Sequence, residues 1–435
     1  MNELSVCLHA LLSRSHLNRL SQSSGFIRRV RKFDGYTFLH SLFGGFGSPF
    51  FSLSEQAEEY SSIKGDTISK TAVFKKYGAA SLKFVLSVLN EVLSVCLPPL
   101  FSLQSGPVKE ILVKDSVHFK VDSRLKGSFK GVNSPAGASI QFEYDLLGGR
   151  TTDVEVLSDR YNDRRDALAK VSQLRSGVLY IRDLGYFCLE VFGRIAAAGA
   201  YFLSRLRSDV VLYADPQGRK RLFFSGIWTY LARHGCDIYE HGAYIPSMDT
   251  PCRVVCVMVP LQVYEGRVRG WKKEHPDLPL PRERRARMRL NIYLTNLQKE
   301  YLPAQDVYSL YRLRWQVELS FKTWKGVFHI QKKSDMNTFR FKTTLYARLI
   351  MVMVCRYIFF CRRTELWSRE GIPLSLEKCM KSLSLHLREL REALRREDGD
   401  ILALTEQWKL HCRLEKSRCE ESSIKIMERM NRYFL

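Results

Sequence analysis

Tyr311-Arg-Leu-Arg-Trp-Gln-Val-Glu-Leu-Ser-Phe-Lys-Thr-Trp-Lys325 carries two kinds of side chain at helical spacing. Read as one helix, Tyr311, Arg314, Glu318, Lys322 and Lys325 follow at steps of three, four, four and three, which places them on a single face. Leu313, Val317, Phe321, Trp324 and Phe328 form an apolar stripe beside it, at about 3.6 residues per turn. One carboxylate amid cations suits chemistry in which Glu318 holds a metal while its neighbours hold phosphate. The competing reading is a solvated basic face, with Glu318 and Lys322 an ordinary i,i+4 pair contributing roughly 0.2–0.5 kcal/mol. Taken alone, the helix leaves both open.

Composition narrows the choice. The chain has 435 residues, enough for about two to four domains around sizeable cores. Its 68 Lys and Arg against 45 Asp and Glu leave a formal net charge of +23, spread along the whole chain instead of in a tail. Such an excess implies a polyanionic partner, a nucleic acid or an acidic membrane. The 11 cysteines are scattered, with no Cys-x-x-Cys pair. They predict reduced thiols in a cytosol, without disulfides or structural zinc. The N-terminus lacks the pattern of a secretory signal. The most apolar run, Leu345 to Phe360, is interrupted by Arg348 and Arg356 and is too short to span a bilayer. It predicts a buried helix, and the whole predicts a soluble, cytoplasmic protein with no membrane partner.

Along the chain, residues 1–105 read as helical. Ile68 to Lys83 has the polarity of a small helix-turn-helix-like DNA binder, with Arg28, Arg29, Arg31 and Lys32 as further phosphate contacts; a helical subdomain with a basic face is the alternative. From Glu110 the period changes to that of strands: Glu110–Asp115 and Ser116–Lys120, Ala138–Asp145, Thr151–Leu157 and Gly177–Asp183, with helices at Asp163–Leu174 and Leu189–Ala198. These predict an α/β fold with a mixed sheet flanked by helices. Between 210 and 297 strands are expected at Val210–Ala214, Lys220–Phe224, Cys236–Tyr239, Arg253–Leu261 and Leu290–Thr295. Within that stretch Arg267, Arg269, Lys272, Lys273, Arg282, Arg284, Arg285, Arg287 and Arg289 form a cationic arm suited to clamping phosphate. After Glu300 the chain reads as helical to its end, with Leu383–Arg396 amphipathic.

Two acids share a local setting, since each closes an apolar strand: Asp115 after Ile111-Leu-Val-Lys114, and Asp183 after Val178-Leu-Tyr-Ile-Arg182. Strand ends of an α/β sheet hold side chains rigidly at an open edge. With Glu318 they make an all-oxygen donor set suited to two Mg²⁺ or Mn²⁺ ions and to in-line displacement at phosphorus. Asp122 is the rival for the first position; Asp145 and Asp209 read as turn or cap acids.

These residues resemble a known pattern. Tyr311-x2-Arg314-x3-Glu318-x6-Lys325 has the spacing of the YREK signature of DDE transposases of insertion sequence family four. Val113-Lys-Asp-Ser116 is similar to that family's first-Asp strand, Ile181-Arg-Asp-Leu-Gly-Tyr-Phe187 to its second-Asp motif, and Asn291 to Asn296 to the strand before the YREK helix. Val117 departs from the pattern, which often has Thr there. The likeness covers about residues 105 to 345.

The resemblance implies a ribonuclease-H-like core interrupted by a β-rich insertion. The chain then divides into a helical DNA-binding region (1–105), the core's first part (106–209), the insertion with its arm (210–297), the core's second part (298–365) and a helical C-terminal region that can serve dimerisation (366–435). It implies cut-and-paste transposition through nicking, a hairpin intermediate and strand transfer on double-stranded DNA. Asp115, Asp183 and Glu318 would bind the metals. Arg314, Lys322 and Lys325 would hold phosphates, helped by Tyr311 and Arg205. Trp315 would stack on an unpaired base or else sit in the core. A homodimer associated with the nucleoid is also implied. A non-catalytic DNA-binding regulator and a nuclease without strand transfer are the alternatives.

Overall fold

The computed structural model describes residues 3–29, 31–97, 100, 106–331, 337–396, 399–414 and 421–434, with backbone only at 249, 433 and 434. The expected boundary at residue 105 and Cys419 lie outside them. Eight strands are present: β1 (Glu110–Lys120), β2 (Gly137–Asp145), β3 (Thr151–Ser158), β4 (Val178–Arg182), β5 (Tyr201–Arg205), β6 (Ile238–Ile245), β7 (Met248–Met258) and β8 (Leu290–Thr295). Their order is β3-β2-β1-β4-β5-β8-β7-β6. The pairings β1/β4 and β4/β5 are parallel, while β2/β3, β5/β8, β7/β8 and β6/β7 are antiparallel. This is the mixed, helix-flanked sheet of the expected α/β class.

The chain divides into two compact units. The first comprises Met1–Leu100, Ser116–Tyr161 and Gln316–Glu420. Its axis is the 33-residue helix Thr338–Glu370, capped by Asn337 and ended by Gly371 in the left-handed region. This is the one helix among the described residues long and apolar enough to cross a membrane, and 94% of its most apolar window is buried inside the protein. Its side chains reach both the sheet and the N-terminal helices. Tyr346 Oη accepts from Val156 N at 3.1 Å, and Tyr357 donates to Val92 O at 2.9 Å. The buried Arg356 guanidinium lies 4.8, 4.4 and 5.0 Å from the rings of Phe142, Tyr144 and Phe360 and donates to Ser320 Oγ at 2.9 Å. Cation–π contact replaces hydration here in place of a carboxylate. In the stretch expected to bind DNA, helices Lys70–Phe74 and Ala79–Leu93 are separated by a short turn.

The second unit comprises Phe101–Asp115, Asn162–Trp315 and Glu421–Leu435. β4, buried on every residue, is a near-continuous apolar run, as a parallel strand covered on both faces has to be. The helices Leu189–Ala197 and Phe224–His234 bury Val191, Phe192, Ile227 and Leu231 with Phe202, Val254 and Leu294 of the sheet. The C-terminal helix Ser423–Phe434 packs on the helix Ala304–Arg312. Arg429 ties them together, with Nε 2.9 Å from Asp306 Oδ1 and Nη1 2.6 Å from Glu421 Oε1.

Several expectations change. Val210–Ala214 and Lys220–Phe224 are not strands; they meet only in an isolated bridge, Tyr213 with Arg221, and Phe224 opens a helix. That helix starts because Glu283 accepts from Phe224 N at 2.8 Å and Ser225 N at 3.0 Å, a cap supplied from 59 residues away. The cationic arm is two helices, Leu261–Glu274 and Arg282–Arg289, and Leu261, expected to end a strand, opens the first of them. Leu383–Arg396 breaks at His386.

Candidate active site

The quoted stretch is not one helix. It ends one helix at Arg312, turns at Leu313 and Arg314, and begins another at Trp315 (Trp315–Gly326). At the turn the backbone bonds shorten to i→i−3: Leu313 N donates to Leu310 O at 3.0 Å, and Arg314 N to Tyr311 O at 3.1 Å. Tyr311 and Arg314 therefore do not continue the face of Glu318, Lys322 and Lys325. The apolar stripe holds regardless: Leu313, Val317, Phe321, Trp324 and Phe328 are all buried.

In the second unit β1 and β4 run parallel in a register that ends at Lys114↔Arg182. Asp115 and Asp183, the next residue of each, stand side by side where the β1/β4 ladder ends; β4 stops there, but β1 runs on through Lys120, so Asp115 lies within its strand and does not close it as expected. Alternation along a strand sends their carboxylates to one face and Lys114 and Arg182 to the other. Arg314 reaches both acids: Nη1 lies 2.6 Å from Asp115 Oδ2 and Nε 3.6 Å from Asp183 Oδ1. Asp183 also caps the turn Leu184–Tyr186. Tyr311 is buried against Tyr293, ring centroids 5.2 Å apart, and burial pushes its hydroxyl up to about 12. Arg205 is exposed on β5, paired in register with Tyr293. Trp315 is 44% exposed, so it is not a core tryptophan.

In the first unit Glu318 sits half-buried in the first turn of its helix, where a negative side chain is favoured by the helix dipole. Lys322 is exposed one turn further on. Lys325 donates to the carbonyl of His118 at 3.2 Å, and partial burial lowers its pKa. His118 was not anticipated. Its Nδ1 lies 2.6 Å from Asp159 Oδ1 and its Nε2 3.0 Å from Ser116 Oγ. The partner lies 41 residues away, so no local spacing announced it. The rival Asp122 is taken up elsewhere: it caps the turn Ser123–Leu125 and is gripped by the Arg124 guanidinium, which with the Arg124 backbone NH holds its carboxyl down at about 2. Asp145 accepts from Gly148 N at 2.7 Å as a turn acid, and Asp209 pairs with Arg207.

The cationic arm divides by role. Arg267 donates to Met288 O, Leu290 O and Asn291 Oδ1, Arg287 to Val210 O, and Arg289 to Val259 O. These three are structural. Arg269, Lys272, Lys273, Arg282, Arg284 and Arg285 remain exposed.

Residues 106–354 match the family described as transposase DDE domain. The chain belongs to that family. Over 421 residues it is 25% identical to a transposase for insertion sequence element IS231B of Bacillus thuringiensis subsp. berliner, covering 91% of this chain and 87% of the relative. A transposase for IS231E from subsp. finitimus is 26% identical over the same shares, and one for IS1151 of Clostridium perfringens 24% identical over 403 residues, 86% of this chain and 84% of the relative. In this DDE transposase the matched span contains Asp115, Asp183 and Glu318. The Asp115–Asp183 pair fits a divalent cation in one respect that the structure shows directly: a guanidinium already lies against both carboxylates. Among the described residues no three His, Cys, Asp or Glu side chains stand together as a ready metal cage.

Proposed function

We propose that the chain moves an insertion sequence by cut-and-paste transposition: nicking at the element's ends, hairpin formation and resolution, then strand transfer. Asp115, Asp183 and Glu318 hold two Mg²⁺ or Mn²⁺ ions, which supply Lewis-acid charge at the phosphorus when bound. The observation that carries the reading is the pair of carboxylates on adjacent strands β1 and β4 sharing one cation, inside a span that matches the DDE domain.

The other residues bind and orient DNA. Arg314 exchanges its carboxylates for a phosphate as the site fills, and Lys322 and Lys325 hold the backbone near the cut. Tyr311 braces Arg314, and Arg205 adds a contact from β5. Trp315, exposed beside them in sequence, stacks on an unpaired base of the hairpin. The six exposed cations of the arm grip flanking duplex. The protein works as a nucleoid-associated homodimer on paired ends.

The test is incubation of purified protein with Mg²⁺ and DNA carrying the terminal repeats that flank its gene. Wild type cuts and Glu318→Ala does not. Equal absence of cutting by both overturns the enzymatic reading in favour of a DNA-binding regulator. Cutting without hairpin or joined products leaves a nuclease.

A further inference from the structure

Behind Asp115 and Asp183, which follow the last register pair of β1 and β4, lies a buried ion pair. Lys114, immediately before Asp115, is 1% exposed, and its ammonium is 2.6 Å from Asp166 Oδ2. Asp166 is fully buried on the helix Asp163–Ala169 and has Lys170 Nζ 3.2 Å from its other oxygen. Lys114 and Asp166 are closed off from water, so their attraction is little screened and restrains both side chains.

The same helix touches the turn that follows β4. Gly185, two residues after Asp183, faces Asp163 so closely that a Cβ there would lie 2.5 Å from Asp163 Oδ2. One short helix is therefore held to β1 by the Lys114–Asp166 pair and lies against the Asp183 turn through Gly185. Lys114 and Arg182 are the last register partners of β1 and β4, and both are buried on the face away from the carboxylates.

We propose that Lys114 and Asp166 are positioning residues for the metal-binding carboxylates: the buried ionic clamp sets the spacing and height of Asp115 relative to Asp183. This rests on the proposed function above. A catalytic ion needs near-ideal ligand geometry, and Mg²⁺ tolerates little error in it. The clamp is a support of the kind that orients ligands without touching the metal.

Two variants separate positioning from bulk stability. Lys114→Met alone strands Asp166 in the interior and can fail to fold. The double variant Lys114→Met/Asp166→Leu replaces the pair by apolar side chains of similar size, an exchange that folds tolerate. Cooperative thermal unfolding is to be checked first, then Mn²⁺ binding followed by the electron paramagnetic resonance of the free ion, then the Mg²⁺ dependence of end cleavage. The expected result is a folded double variant with Mn²⁺ affinity lowered about tenfold, a matching rise in the Mg²⁺ needed for half-maximal cleavage, and unaltered DNA binding in a mobility-shift assay. Mn²⁺ binding and Mg²⁺ dependence equal to wild type overturn the clamp and leave the function standing. A wild-type protein that neither binds Mn²⁺ nor cuts overturns the function, and the clamp with it. Should even the double variant fail to fold, Lys114→Arg, which keeps the charge, decides by the same Mn²⁺ titration: affinity unchanged supports an ionic clamp tolerant of the new head group only if Asp166→Asn lowers it, and overturns the clamp if Asp166→Asn leaves it unchanged.

Discussion

The guanidinium of Arg314 lies against both Asp115 and Asp183, at 2.6 and 3.6 Å. Its removal leaves two neighbouring carboxylates to repel one another, Asp115 being 14% exposed and Asp183 40%. Arg314→Ala is expected to cost about 1–3 kcal/mol of stability in chelator. Mg²⁺ should return most of that loss, since a divalent ion takes over the neutralised charge. Urea unfolding with and without Mg²⁺ measures it; an equal loss in both conditions means the site does not take the ion.

Trp315 is exposed, so its truncation should leave folding within about 0.5 kcal/mol of wild type. The same change should weaken hold on an unstacked base by about 1–3 kcal/mol. Fluorescence of 2-aminopurine at the element's terminal position reports the second effect and a thermal melt the first. A destabilised variant with normal base capture reverses the assignment.

The arm offers an internal contrast. Arg285→Ala, at an exposed cation, should reduce the slope of log affinity against log salt by about 1 and leave stability alone. Arg267→Ala removes donors to two carbonyls and Asn291, and should destabilise by about 1–3 kcal/mol. Salt-dependent binding and urea denaturation of both variants decide whether the two classes are real.

Acid should loosen the N-terminal helices through His40. Burial, with Arg14 and Arg395 adding to it, drives this histidine down to about 3, from an ordinary value near 6.5. Between those values the unfolded chain binds a proton that the folded chain refuses. Stability is then complete above about pH 6.5 and falls by about 1.4 kcal/mol per unit as pH drops towards 3. His40→Gln should flatten that slope by one proton's worth between pH 6.5 and 4. Parallel slopes for the two proteins would falsify the assignment.

Arg429 holds the C-terminal helix to Asp306, whose side chain is 5% exposed. Arg429→Ala leaves that carboxylate without its partner and should cost about 1–3 kcal/mol. Amide hydrogen exchange across Ser423–Phe434 should quicken well before the sheet opens. Unchanged exchange there means that apolar packing alone docks the helix.

Much of the core was legible along the chain. Ile111-Leu-Val and Val178-Leu-Tyr-Ile read as buried strands because apolar runs of that length have nowhere else to go; Asp183 does follow the end of β4, whereas β1 continues past Asp115 to Lys120, which the polar residues after it concealed. The stripe from Leu313 to Phe328 was legible for the same reason: periodicity is local, and burial enforces it. The helical basic arm was not, because its helices are fixed by partners far away, such as Glu283 capping at Phe224 and Arg267 reaching the carbonyls of Met288 and Leu290 at the start of β8.

The segment Tyr311 to Lys325 shows the division most plainly. Its spacing determined which side chains are apolar and which are charged. It did not determine that the helix breaks at Leu313 and Arg314, which swings Arg314 onto two aspartates some 130 and 200 residues earlier. Nor could it show Lys114 paired with Asp166 beneath those acids. Side-chain type and period are properties of neighbours in sequence. Which charges meet is decided by sheet register and by helices that close long loops, and only the folded chain specifies those.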